Sequence, residues 1–199
     1  MITIFKNIFS KDPYYISVDE ALDRICQGKS KTQVEEIRNQ IDKEKSNKLK
    51  ANLPSVCFSG KFGKNRKDEE IIEHSGFIVL DFDNVYDLRE KQTDIINKDF
   101  VYACWVSPSG NGLKVLVKIA DGSKHREHFA SLQEIFPDID KSGINPSRVC
   151  YESYDPDIYI NKDCKVFKKI VKTEKVLERQ KVETDYYDIF KNLIIILLF

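Results

Sequence analysis

Two aspartates one residue apart, Asp81 and Asp83, close the apolar run 76–80 of this 199-residue chain. A continuous apolar run of that length reads as a strand buried on both faces. Alternate strand residues share a face, so both carboxylates project together, about 7 Å apart at their Cα atoms, while Phe82 between them points into the core. Two like charges that close call for a divalent cation between them, and magnesium is the natural occupant. Two exposed acids at a strand end are the plain alternative.

The second cluster is Ser107-Pro108-Ser109-Gly110-Asn111-Gly112-Leu113-Lys114. Gly110 and Gly112 clear side chains from a path by which an anion reaches backbone amides, and Lys114 adds a positive charge at the start of the outgoing strand. Asn-Gly between two apolar runs is equally a hairpin signal. The spacing is not that of a Walker loop, and a strand rather than a helix follows. A third acid, Asp140, lies in a loop after a helical stretch, and Arg148 stands at a strand start, where a guanidinium grips phosphate or carboxylate. His125 and His128, three residues apart on a polar helix, lack a third ligand for zinc and read with His74 as exposed or core-edge residues. Asp155 before Pro156 reads as a turn residue.

The elements that must position these groups follow from pattern. Strands are expected over 2–9, 55–59, 76–80, 101–106, 113–119, 148–152 and around 158–167. Helices are expected after the Ser17-Val18-Asp19-Glu20 capping box, over 31–50, 87–99 and 123–136, with Gly28 ending the first. The 31–50 stretch carries an apolar stripe of Val34, Ile37 and Ile41, too narrow for a core element. Residues 60–67 read as a basic loop in which Phe62 is a packed aromatic before it is a base-stacking one. This order predicts an α+β fold rather than a doubly wound sheet. Three regions are expected: an N-terminal strand and helical extension over 1–50, a core over 51–170, and a charged helix with an apolar tail over 171–199, the end of a truncated longer protein.

Lys+Arg and Asp+Glu number 32 each, so the chain as a whole is neither a polycation nor an acidic tail. Charge is nonetheless segregated: residues 29–67 carry net +7, 68–161 net −9 and 162–181 net +5. An acidic centre between basic flanks suits cations in the middle and a polyanion at the edges. Five cysteines without tight spacing point to a reducing cytoplasm. The longest apolar run, 193–199, is far short of the roughly 20 residues a membrane span needs, so no membrane segment is expected.

Taken in order, 75–83, 107–114, Asp140 and 148–156 resemble the N-terminal domain of the VirE-like replication proteins of Bacteroidetes phages and mobile elements, grouped with the archaeo-eukaryotic primase and primase-polymerase superfamily. The resemblance spans about residues 50–170. It implies a palm-like primase core with an RRM-like antiparallel or mixed sheet and flanking helices, a DNA primase or polymerase that joins nucleoside triphosphates on a single-stranded DNA template. The superfamily's Asp-x-Asp pair falls on Asp81 and Asp83, and its later acidic ligand on Asp140, the three holding Mg2+ or Mn2+. Its phosphate-binding Ser-x-His element falls near Ser109–Lys114, with lysine where many relatives carry histidine. Ser109, Gly110, Gly112, Lys114 and Arg148 would then bind the nucleotide, and Lys61, Lys64, Arg66 and Lys67, with 162–181, would track DNA phosphates. Such proteins commonly continue into a helicase, here a further domain or a partner subunit. Two other readings remain: a catalytically inactive DNA-binding module of a helicase-primase, and a haloacid-dehalogenase-like phosphatase, whose opening motif 77–85 also fits but which requires a final acidic pair at the end of an apolar strand.

Overall fold

The computed structural model describes residues 1–171, so the charged helix and apolar tail expected beyond 171 lie outside the described residues. Fifteen helices and strands are described: β1 (Ile2–Phe5), β2 (Pro13–Ile16), α1 (Val18–Cys26), α2 (Lys31–Arg38), α3 (Lys43–Lys50), β3 (Ser55–Cys57), β4 (Gly60–Phe62), β5 (Ile71–His74), β6 (Phe77–Phe82), α4 (Leu88–Ile96), β7 (Val101–Val106), β8 (Leu113–Lys118), α5 (His125–Ile135), β9 (Cys150–Tyr151) and β10 (Tyr159–Ile160). The fold is α+β, and its strand pairings are antiparallel.

The sheet β10-β7-β8-β6 is covered on both faces. On β6 the alternation sorts Ile78, Leu80 and Phe82 into one core with Val115 and Val117 of β8, closed by Ile95 of α4 and by Phe129 and Leu132 of α5. Val79, with Trp105 and Leu116, faces the other way, against Ile2, Ile4 and Val56 of the second sheet β2-β1-β3-β9 and Leu22 of α1. A strand buried on both faces is the reason the 76–80 run is apolar without interruption. The 1–50 segment therefore supplies β1 between β2 and β3, with Ile4 opposite Val56.

Several expectations change. The stretch 31–50 is two helices, broken where Asp42 caps α3 by accepting from the amides of Glu44 and Lys45. Val34 and Ile37 are buried with Leu53, so α2 is a core element, whereas Ile41 in the break is fully exposed. The basic loop is partly strand: β4 pairs with β5, and Phe62 is buried against Phe5 and Cys57. In the capping box Ser17 accepts from the Glu20 amide.

Candidate active site

β6 is the edge strand of its sheet, and what docks on its free edge assembles the acids. The Asp140 amide donates to the Asp81 carbonyl at 2.8 Å, seating the loop after α5 beside the strand end. The carboxylates of Asp81, Asp83 and Asp140 thereby offer ligand atoms all within 4.8 Å of one another. A backbone hydrogen bond thus joins residues 59 positions apart in sequence.

Asp140 is held in place at both oxygens. Oδ1 accepts from the Ser142 amide at 2.9 Å, and Oδ2 from the Ser142 hydroxyl at 2.7 Å and Arg148 Nη2 at 3.3 Å. Partial burial raises its pKa, but the Ser142 amide and hydroxyl, then Arg148 and Lys114, outweigh it and keep the carboxyl below its ordinary value. Asp81 is different. Burial pushes its carboxyl up, against the Lys114 ammonium that contacts Oδ2, and Oδ1 is sealed from solvent with no hydrogen-bond partner. A sealed carboxylate oxygen without a donor beside two further carboxylates fits a hard divalent cation.

Lys114 sits on the central strand β8, flanked by Trp105 of β7 and Asp81 of β6. Burial lowers its pKa, yet the Cys150 thiol and Asp81 more than offset this, so the group stays an ammonium. Its sequence-derived role at a triphosphate is thus preceded by a contact with an acid. A cleft of about 350 Å³ opens over this pair, and Ser109, Lys114 and Arg148 line it along with Asp81 and Asp83. Gly110 and Gly112 do not line it. Gly110 has φ +78° and donates to the Ser107 carbonyl at 2.9 Å, and the Ser107 amide donates to the Gly112 carbonyl at 2.8 Å, which is hairpin closure. At Gly112 a Cβ would lie 2.4 Å from the Phe82 carbonyl oxygen, so this glycine serves close packing of the turn on β6.

Lys61, Lys64, Arg66 and Lys67 do not line the cleft either. Lys61 pairs with Glu73 at 2.9 Å, Lys67 with Glu70 at 4.0 Å, and Arg66 donates to the Ile8 carbonyl at 2.6 Å with its guanidinium over Phe5. In the 162–181 stretch, Lys162, Lys165 and Lys169 pair with Asp19, Asp99 and Glu134. Asp155 is buried and accepts from the Val106 amide at 2.8 Å and the Asp157 amide at 3.1 Å, a structural turn acid.

Sequence reasoning missed three contributors. Lys50 and Asn47 of α3 line the cleft, and burial holds the Lys50 pKa below its ordinary value although Asp83 raises it. Arg38 of α2 donates to the carbonyls of Ser107 at 3.1 Å and Tyr154 at 2.9 Å, clamping the hairpin turn. Both helices lie in a stretch whose charge pattern resembles a solvated face.

His125 and His128 are buried rather than core-edge. The Gly76 amide donates to His74 Nδ1 at 3.0 Å, His74 Nε2 lies 3.0 Å from His125 Nδ1, and His125 Nε2 lies 3.2 Å from the Gly143 carbonyl. Only neutral rings protonated at Nε2 satisfy all three contacts, so the relay ends on the turn that carries Asp140. Burial drops both rings to a pKa of about 4.

The phosphatase alternative requires its last acids at the end of an apolar strand. Asp140 instead opens a 3-10 turn at Lys141–Ile144, and Asp138 pairs with Lys91 at 2.5 Å. No helix among the described residues is long and apolar enough to cross a membrane. A family model described as the BT4734-like, N-terminal domain matches residues 48–160. No curated protein and no solved structure matches the chain.

Proposed function

The chain belongs to the BT4734-like N-terminal domain family, and we propose that it is a primase-polymerase-type nucleotidyltransferase of a mobile-element or phage replication protein, working with Mg2+ or Mn2+ on a single-stranded DNA template. The observation that carries this reading is the convergence of Asp81, Asp83 and Asp140 within 4.8 Å, the first two of them lining a cleft that Lys50 and Arg148 line as well. A divalent cation bound there would favour ionisation of the attacking 3′-hydroxyl and neutralise charge on the phosphates. The chain's own residues orient the reactants. Asp81 on β6 and Asp83 just past its end hold the cation. Asp140, fixed by Ser142, completes the carboxylate set. Arg148, Lys50 and Ser109 receive the triphosphate, and pyrophosphate leaves as the new phosphodiester forms. The palm-like description of the sheet, the DNA contacts of the basic flanks and a helicase domain or subunit as partner belong to the same reading.

Primer extension and de novo synthesis with labelled dNTPs or rNTPs, single-stranded DNA and Mg2+ or Mn2+ test it. Incorporation by the parent chain that disappears in Asp81→Ala and Asp83→Ala is the expected result. DNA binding without incorporation would make the chain an inactive docking module. Template-independent phosphate release from small phosphoesters would make it a phosphatase.

A further inference from the structure

Three carboxylates meet at the end of β6, each bringing one oxygen within 4.8 Å of the others, and three of their six oxygens already have protein donors. Lys114 Nζ contacts Asp81 Oδ2, and both oxygens of Asp140 accept from Ser142, one of them also from Arg148. Asp81 Oδ1 is buried without a donor, and no described residue donates to Asp83. The free acceptors suffice for one octahedral ion completed by water. The charges point the same way: three carboxylates against the Lys114 ammonium and the Arg148 guanidinium leave one net negative charge, so one divalent ion already turns the cluster positive and a second would be repelled.

We propose that the cluster binds a single divalent cation, through Asp81 Oδ1 and Asp83, and that the Lys114 ammonium is the second positive centre, standing where a two-metal site would put its other ion. This rests on the nucleotidyl-transfer reading for its purpose but not for its measurement. Lys114 is fixed to this place by the fold. Its strand is hydrogen-bonded on both sides, the register puts it opposite Asp81, and its side chain is 13% exposed. A second ion 3.5 to 4 Å from the first, the spacing of two-metal sites, would have to displace the ammonium from Asp81 Oδ2 or sit against it. Asp140 compensates poorly, because Ser142 and Arg148 already donate to its oxygens.

Titration of the whole chain with Mn2+ alone, followed by calorimetry and by electron paramagnetic resonance, counts the ions. One ion per chain with an uncoupled spectrum is expected. Lys114→Met, in which an apolar stem replaces the ammonium, is expected to take two, with the exchange-coupled spectrum of a close pair. Lys114→Gln gives the same comparison if the methionine variant does not fold, and Asp83→Asn should lose the ion. Two coupled ions in the parent chain would overturn the inference and leave the nucleotidyl-transfer reading standing. One ion in a folded Lys114→Met would also overturn it. No bound ion in the parent chain would sink both. One ion with no nucleotide incorporation would sustain the inference and remove the reading.

Discussion

Asp81 of β6 lies directly across from Lys114 of β8, and the two side chains, 15% and 13% exposed, meet as an ion pair in the lining of the cleft. A buried pair contributes little beyond an apolar pair of the same shape, but losing one partner strands the other charge. Without added metal, Lys114→Met is therefore expected to cost about 3–5 kcal/mol in urea unfolding. The double variant Asp81→Leu/Lys114→Met should recover most of that. A single variant as stable as the parent would mean that Asp81 is not charged in the folded chain.

The histidine relay predicts a pH dependence of its own. Folded His74 and His125 titrate at about 4 against 6.5 in the unfolded chain, because burial disfavours the charged rings. Between those values the unfolded state binds more protons, so the contribution is complete above pH 6.5, falls as pH drops toward 4 and changes no further below. The slope is at most about 1.4 kcal/mol per pH unit for each ring. Asp121 opposes the shift at His74 and Asp68 opposes it at His125, while His128 and Arg126 reinforce it. Asp81, raised by burial, acts with the opposite sign above 3.8. Urea midpoints from pH 7 to 4 should fall in the parent and flatten in His74→Gln/His125→Gln. An equally steep profile in that variant would assign the slope to other groups.

Much of this site is legible in the sequence because its signals are local. Alternation along 76–83 places Asp81 and Asp83 on one face and Phe82 in the core, and the Asn-Gly turn marks the β7–β8 hairpin that brings Lys114 opposite. What stays hidden is decided by distant partners. Nothing near Gly60–Phe62 announces that it pairs with Ile71–His74, or near Glu152 that it will be buried against Arg24 and Ser30. Lys50 looks like any lysine of a charged helix until α3 is laid against the cleft. Ile41 fits an apolar stripe by spacing, yet Asp42 caps a new helix one residue later and leaves it in solvent.

Gly112 is predicted to be the least replaceable residue of the hairpin turn. An added methyl would stand 2.4 Å from the Phe82 carbonyl oxygen, 3.3 Å from Ser107 Oγ and 3.5 Å from the Asp83 Cα. The first contact is with backbone and has no side chain to swing away, so the turn must lift from β6. Gly112→Ala is expected to cost about 1–3 kcal/mol and to weaken Mn2+ binding through Asp83. Gly63→Ala, with open space around it, should stay within about 0.5 kcal/mol of the parent. Chemical unfolding and Mn2+ titration of both variants check this; unaltered Mn2+ affinity in Gly112→Ala would show that Asp83 does not depend on the turn.

Arg148 and Lys50 stand on the rim of the cleft, away from the β6–β8 ladder, so their loss should be felt by a ligand before the fold. Arg148 is 45% exposed on the side chain, and it pairs with Asp140 at 3.3 Å. A charge-assisted hydrogen bond to phosphate contributes about 1.5–3 kcal/mol, which is roughly tenfold or more in affinity. Arg148→Ala and Lys50→Ala are each expected to weaken nucleoside triphosphate binding by about tenfold, read by titration with a fluorescent nucleotide. Binding of a primer-template should change little in either variant. Equal losses for both ligands would place these two cations on the DNA path instead, and would move the triphosphate to another wall of the cleft.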